Sequence, residues 1–228
     1  MIGRVILASA SYQRQRLLAM LGVEYQVEPS HFDEYAVKPV DFTETGEYVS
    51  AIAAGKVLEV ATRLGPSLQP EDIIIGGDLL AFAGGRPLGK PRSLDQAREY
   101  LQLLMNAWHH EVCAVAIWSA GRGLEREVED VDVLLPELPP FRVTDYLAES
   151  NPLEKAGGFS LAAFAKILKQ EGKSAEKEIT VRGAVTGVLG FPVLRVARLL
   201  SRYGLETPAP APELENRLTR DILSGKPL

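Results

Sequence analysis

The stretch VILASASYQRQRLL, residues 5–18, carries the reading of the fold. Its apolar run predicts a buried strand over 4–8, and Leu17, Leu18 and Leu21 on one helical face, closed by Gly22, predict a helix over 12–21. A second strand over 23–28 completes a β-α-β opening. The first strand empties into Ser9 and Ser11, and Arg14 and Arg16 then fall in the opening turn of the helix, where the dipole opposes each cation by roughly 0.3–1 kcal/mol. Such a turn offers unpaired N–H groups, and the two hydroxyls add donors, so a phosphate would suit it and would compensate Arg14. The other reading is a plain Ser11 N-cap beside two solvated arginines. The residues alone leave both open.

Working outward, a polar stretch with no period and an acidic pair, Asp33 and Glu34, reads as a loop. A helix over 46–64 follows, with an apolar stripe of Val49, Ile52, Ala53, Val60 and Leu64. DIIIGGDLLAF, residues 72–82, is a strand closed by the turn AGGRPLG, and SLDQAREYLQLL opens on Ser93 with Gln96 three residues later, a capping-box helix. Runs 110–118 and 126–135 read as a hairpin whose second strand alternates acidic with apolar residues, as an exposed face would. A helix over 143–150 stops at Asn151-Pro152 before the loop KAGGFS. LAAFAKILKQ fits helix or strand equally, EGKSAEKE reads as an exposed loop, and 192–203 as the last helix. Residues 1–204 thus form one domain, and 205–228, Pro/Ala-rich at its start, reads as a semi-rigid extension.

The chain has 228 residues and a formal net charge of -5, which argues against a nucleic-acid or membrane-surface binder, since those need a basic field. Its one cysteine, Cys113, lies in an apolar run and excludes an internal disulfide or a cysteine metal cluster. No apolar h-region with a cleavage site is present at the start and no apolar stretch approaches ~18 residues, so a cytoplasmic location is expected.

Three residues break the patterns around them. Lys56 stands in the apolar stripe of its helix, where an ammonium calls for a carboxylate or a ligand unless it snorkels to water; the stripe continues on both sides, which favours the partner. Asp78 interrupts a buried strand behind Gly76 and Gly77, where a carboxylate can hold Mg²⁺ or act as a general base, or cap a neighbouring turn. Lys90 is the last residue but one of GGRPLGKP, residues 84–91, which mimics a P-loop. Pro91 replaces the metal-holding hydroxyl and Pro87 removes an N–H donor, so a Walker-type NTPase is excluded, although Lys90 can still meet a phosphate as a point charge.

Taken in order, LASAS with R and LL, FDE, EYV with A and K, IIGGD, LGKP, KAGGFS and TGVLGFP resemble the Maf family of nucleoside triphosphate pyrophosphatases, over residues 4 to 204. The resemblance implies an α/β fold, a single domain with a mixed, curved sheet like that of inosine triphosphatases, flanked by helices around a deep cleft, and a homodimer. It implies hydrolysis of a nucleoside triphosphate between its α- and β-phosphates, giving a monophosphate and pyrophosphate, with a role in clearing non-standard nucleotides. Carried over by position, Asp78 is the water-activating acid, Ser9, Ser11, Arg14, Lys56 and Lys90 meet the phosphates, and Glu34 and Asp78 place the divalent metal, Mg²⁺ or Mn²⁺.

The chain departs from the family inside the motifs. Tyr12 and Gln13 replace a proline and an arginine, Arg16 stands where an acid is common, Leu79 replaces a threonine, Ala162 a glutamine and Gly187 an asparagine, and about ten residues are inserted near QEGKSAEKEI. The base preference is therefore not legible. The losses admit a second reading, a degenerate relative that binds a nucleotide or a protein partner without efficient catalysis, and the tail admits a third, an interaction module with a docking arm. Retention of Asp78, Glu34, Lys56 and Lys90 places the enzyme first.

Overall fold

Strand β1 (Val5–Leu7) is the apolar run of the opening stretch, and all three of its residues are buried. The computed structural model describes residues 3–228. After β1 come α1 (Tyr12–Met20) and β2 (Gln26–Val27), then α2 (Thr45–Leu64), β3 (Ile73–Ala83) and β4 (Arg86–Leu88). Next are α3 (Leu94–Leu104), β5 (Trp108–Ser119), β6 (Gly123–Leu134), α4 (Pro140–Ser150) and α5 (Leu161–Gln170). The short α6 (Ala175–Glu178), β7 (Thr180–Arg182) and α7 (Val185–Val188) lead to α8 (Val193–Arg202) and α9 (Ala211–Leu223).

The sheet is mixed, as expected of the α/β class: β1 pairs in parallel with β2 and β3, while β4 pairs antiparallel with β3 and β7 with β6. Its order is β2-β1-β3-β5-β6-β7, with β4 attached to β3. The second strand of the β-α-β opening is shorter than the sequence suggests. β2 is an exposed edge with one neighbour, and only the residues paired to Ile6 and Leu7 take strand form.

The chain divides into two compact units. The first takes the chain up to Leu79, Val112–Glu129 and Thr186–Glu215; the second takes Leu80–Glu111, Asp130–Val185 and Asn216–Leu228.

In the first unit, α2 buries Val49, Ile52, Ala53, Val57 and Val60 along one face, with Lys56 among them. The acidic face of β6, expected to be open to water, is instead covered. Glu125, Glu127 and Glu129 fall on one face because a strand alternates, and Arg195, Arg198 and Arg202 fall on one face of α8 because a helix repeats every 3.6 residues. Arg195 Nε lies 2.7 Å from Glu129, Arg198 Nη1 3.4 Å from Glu127, and Arg202 Nη1 3.1 Å from Glu125.

In the second unit, the sequence that mimicked a P-loop is the Gly84-Gly85 turn of a hairpin followed by its second strand, β4, and not a loop opening a helix. Ser93 caps α3 by accepting from Gln96 N, as its capping-box pattern predicts. LAAFAKILKQ, ambiguous by period, is helical: Ser160 accepts from Ala163 N, and Leu161, Phe164, Ala165 and Leu168 bury one face. The EGKSAEKE stretch is not wholly an exposed loop, since Ala175 is buried and starts a one-turn helix.

The last regular element is α9, not the helix ending near 203. Its apolar residues Ala211, Leu214, Leu218 and Ile222 recur at helical spacing and are buried, a pattern hidden behind the Pro/Ala-rich run that precedes it.

Candidate active site

Helix α2 organises the site in the first unit. Gly55 lets the Phe32 ring lie against the helix, where a Cβ would come within 2.3 Å of it. Glu59 and Arg63, one turn apart, hold the preceding loop. Glu59 accepts from Ser30 Oγ at 3.0 Å and His31 N at 2.9 Å, and Arg63 donates to the Pro29 carbonyl at 2.9 Å. Burial raises the Glu59 carboxyl, but the bonds from His31, Arg63 and Ser30 outweigh it and hold the group below its ordinary value.

The loop so anchored separates the two acids of FDE. Asp33 is a local cap, accepting from Tyr35 N at 3.0 Å. Glu34 reaches the site instead. Its Oε1 lies 2.7 Å from Lys56 Nζ, and Asp78 Oδ1 lies 2.5 Å from the same nitrogen. Lys56 is 9 % exposed and Asp78 6 %, so the ammonium does not snorkel and the carboxylate does not cap a turn. Both expensive charges are answered by each other.

Asp78 is reached by a crowded strand. A Cβ on Gly77 would stand 2.8 Å from the Ala114 carbonyl oxygen, a backbone atom that cannot give way. The close approach that Gly77 permits is made by the neighbouring strand β5, with the Phe191 ring and Arg14 Nε next in distance.

The turn after β1 resolves the opening ambiguity only in part. Ser11 is the N-cap of α1, with its Oγ accepting from Arg14 N at 3.5 Å, and Arg16 is exposed with its Nη1 on Tyr12 Oη at 3.1 Å. Arg14 is held differently: Nε donates to the Gly190 carbonyl at 2.9 Å and Nη1 to Ser9 Oγ at 3.2 Å. Ser9 Oγ also accepts from Ser11 N at 3.1 Å. Both hydroxyls are used as acceptors, which leaves the proton of each to donate to an anion.

Ser9, Ser11, Arg14, Glu34, Lys56 and Asp78 therefore all belong to the first unit. Lys90 is exposed and belongs to the second, between β4 and α3. Tyr48 is the residue that sequence reasoning missed. Two turns before Lys56 on α2, its hydroxyl is raised by burial first and then by the charges of Asp78 and Glu34. The eight-residue spacing to Lys56 was the available signal.

Glu34 and Asp78, the two carboxylates that converge on Lys56 Nζ, are the residues here that could also offer oxygens to a divalent cation. Among the described residues no group of three or more His, Cys, Asp or Glu could hold a metal. The donor set fits Mg²⁺ or Mn²⁺ shared with phosphate oxygens and water, since such ions take one or two carboxylates and complete their shell from substrate.

A family model described as Maf-like protein matches residues 4–203. The chain belongs to the Maf family. Its Maf relatives include proteins named dTTP/UTP pyrophosphatase. The one from Syntrophus aciditrophicus is 31% identical over 202 residues, 88% of this chain and 90% of the relative. The one from Anaeromyxobacter dehalogenans strain 2CP-1 is 31% identical over 211 residues, 91% and 98% of the two chains. The one from Moorella thermoacetica is 31% identical over 206 residues, 90% and 97%. The family match ends before α9 begins. Among the described residues no helix is long and apolar enough to cross a membrane.

Proposed function

We propose that this protein is a divalent-metal-dependent nucleoside triphosphate pyrophosphatase that releases pyrophosphate and a nucleoside monophosphate. The observation that carries the reading is the buried Lys56 ammonium between Asp78 and Glu34, two carboxylates and a cation gathered where folding alone gains little from them. Asp78 accepts a proton from the water that attacks the α-phosphorus. Lys56 and Arg14 lie on the phosphate side and neutralise charge that grows in the transition state, as fixed cations do most effectively in a preorganised site. Ser9 and Ser11 donate their free hydroxyl protons to phosphate oxygens. Glu34 and Asp78 would hold Mg²⁺ or Mn²⁺, which neutralises and clamps phosphate oxygens when bound.

The names of the relatives make dTTP and UTP the first substrates to try. The departures at Gln13, Leu79, Ala162 and Gly187 make the base open, so other standard and modified triphosphates belong in the same screen. The reading carries with it a homodimer and a cytoplasmic location, where the nucleotide pool lies.

The test is pyrophosphate release with Mg²⁺ or Mn²⁺, run beside Asp78→Asn. We expect metal-dependent release that falls at least ~100-fold in the variant, the effect of losing a group that acts only in the transition state. Release undiminished in Asp78→Asn, or none from any triphosphate, overturns the mechanism. Nucleotide binding without turnover would replace it with the binding-only reading.

A further inference from the structure

The C-terminal helix α9 lies outside the family match, yet its first residues, Glu215 among them, belong to the first unit. Glu215 is 8 % exposed and accepts two hydrogen bonds from a single residue, Thr186, which is wholly buried. Thr186 N donates to Oε1 at 3.2 Å, and Thr186 Oγ1 makes a short hydrogen bond to Oε2. A buried carboxylate aimed at one threonine of the short α7 has a specific task, since water would otherwise solvate it better.

Thr186 is the clamp of the loop that supports Arg14. Its carbonyl accepts from Phe191 N at 3.2 Å and its Oγ1 from Val193 N at 3.0 Å, so the two ends of the 186–193 segment are tied through one residue. Inside the clamp Gly190 N donates to the Gly187 carbonyl at 2.9 Å. The Gly190 carbonyl, fixed by that turn, accepts from Arg14 Nε at 2.9 Å. A hydroxyl that accepts from Val193 N has its proton left to give, and Glu215 takes it. The connection from Glu215 to Arg14 is therefore unbroken: carboxylate, threonine, closed turn, carbonyl, guanidinium.

We propose that Glu215 is a positioning residue for Arg14, acting through Thr186 and the Gly190 carbonyl. The C-terminal segment is thereby part of the phosphate-binding apparatus and not an appendage. The catalytic consequence rests on the pyrophosphatase reading; the structural link does not. A guanidinium anchored at Nε presents Nη1 and Nη2 in a fixed direction, and Arg14 freed from Gly190 would spend most of its time elsewhere.

The experiment compares Glu215→Ala, Glu215→Gln, Thr186→Val, Arg14→Ala and the double variant Arg14→Ala/Glu215→Ala. The first readout is independent of turnover: solvent exchange of the Arg14 Nε proton followed by NMR. We expect faster exchange in Glu215→Ala and Thr186→Val, and near-native exchange in Glu215→Gln, which keeps an acceptor for Thr186 N. The second readout is kinetic. Glu215→Ala lowers kcat/KM for the triphosphate about tenfold, chiefly through kcat, the size of one charge-assisted hydrogen bond made in the transition state, and the double variant is no worse than Arg14→Ala alone. Unchanged Arg14 exchange in Glu215→Ala, or effects that multiply in the double variant, overturns the proposal. Should Glu215→Ala fail to fold, Thr186→Val and Glu215→Gln decide by the same exchange readout. A wild-type protein with no turnover counts against the pyrophosphatase reading, and the exchange result still decides the link from Glu215.

Discussion

Each unit of this protein buries a pair of titratable groups, and the two pairs are treated in opposite ways. In the first unit Lys56 and Asp78 lie 2.5 Å apart with Glu34 beside them, an ammonium matched by two carboxylates. In the second, His109 and Glu111 on β5 are wholly buried and 3.7 Å apart, and Oε1 of Glu111 has no hydrogen-bond partner among the described residues. Burial pushes the Glu111 carboxyl up to about 8. It also lowers His109 to about 4; the Leu104 and Ala107 carbonyls oppose that shift and the neighbouring His110 adds to it. Both groups are then neutral near pH 7, and the pair packs as part of the core, with His109 edge-on to the Phe159 ring at 5.4 Å. The first pair is answered by an opposite charge, and the second gives its charge up and packs.

The comparison breaks most visibly at Lys56. Lys56→Ala leaves Asp78 buried without its cation, and we expect a loss of about 3 kcal/mol in urea unfolding at pH 7 together with loss of turnover. A loss below about 1 kcal/mol would mean that Asp78 does not depend on the ammonium.

The second pair predicts a pH dependence of its own. The folded Glu111 carboxyl titrates near 8 and the unfolded one near its ordinary value of 4.5, so its contribution is complete below 4.5 and is lost as pH rises through 8. His109 has the opposite sign: its contribution is complete above 6.5 and is lost as pH falls through about 4. The two oppose each other between 4.5 and 6.5. Between 6.5 and 8 only Glu111 acts, so stability falls with rising pH by about 1–2 kcal/mol. Glu111→Gln flattens that window in unfolding titrations. An equally steep fall in the variant would assign the slope to another group.

The smallest effect belongs to the opening turn. Arg16 is exposed, with its guanidinium on the Tyr12 ring and hydroxyl, so Arg16→Ala should stay within about ±0.5 kcal/mol in thermal unfolding and leave KM unchanged. A rise in KM would return Arg16 to the phosphate side.

These contrasts also show how far the residues spoke for themselves. Lys56 was legible because a helix repeats every 3.6 residues and an ammonium stood in the apolar stripe; that Asp78 and Glu34 answer it was not, because they come from a strand and a loop elsewhere in the chain. The acidic strand β6 read as open to water, since an alternating pattern says which residues share a face and nothing about what covers it. Arg14 and Arg16, two residues apart in one turn, looked alike in sequence and part company in the structure.

By itself the sequence determined the β-α-β opening, the long helix with Lys56, the strand that carries Asp78 and the cap at Ser93. Those features arise from local periodicity, from the Gly77 backbone and from side chains within a few residues of one another. Tertiary structure decided that Arg14 is held by a carbonyl 176 residues away, that α8 seals β6, and that α9 returns a carboxylate to Thr186. Such partners are chosen by packing across long stretches of chain, and no short-range pattern records that distance.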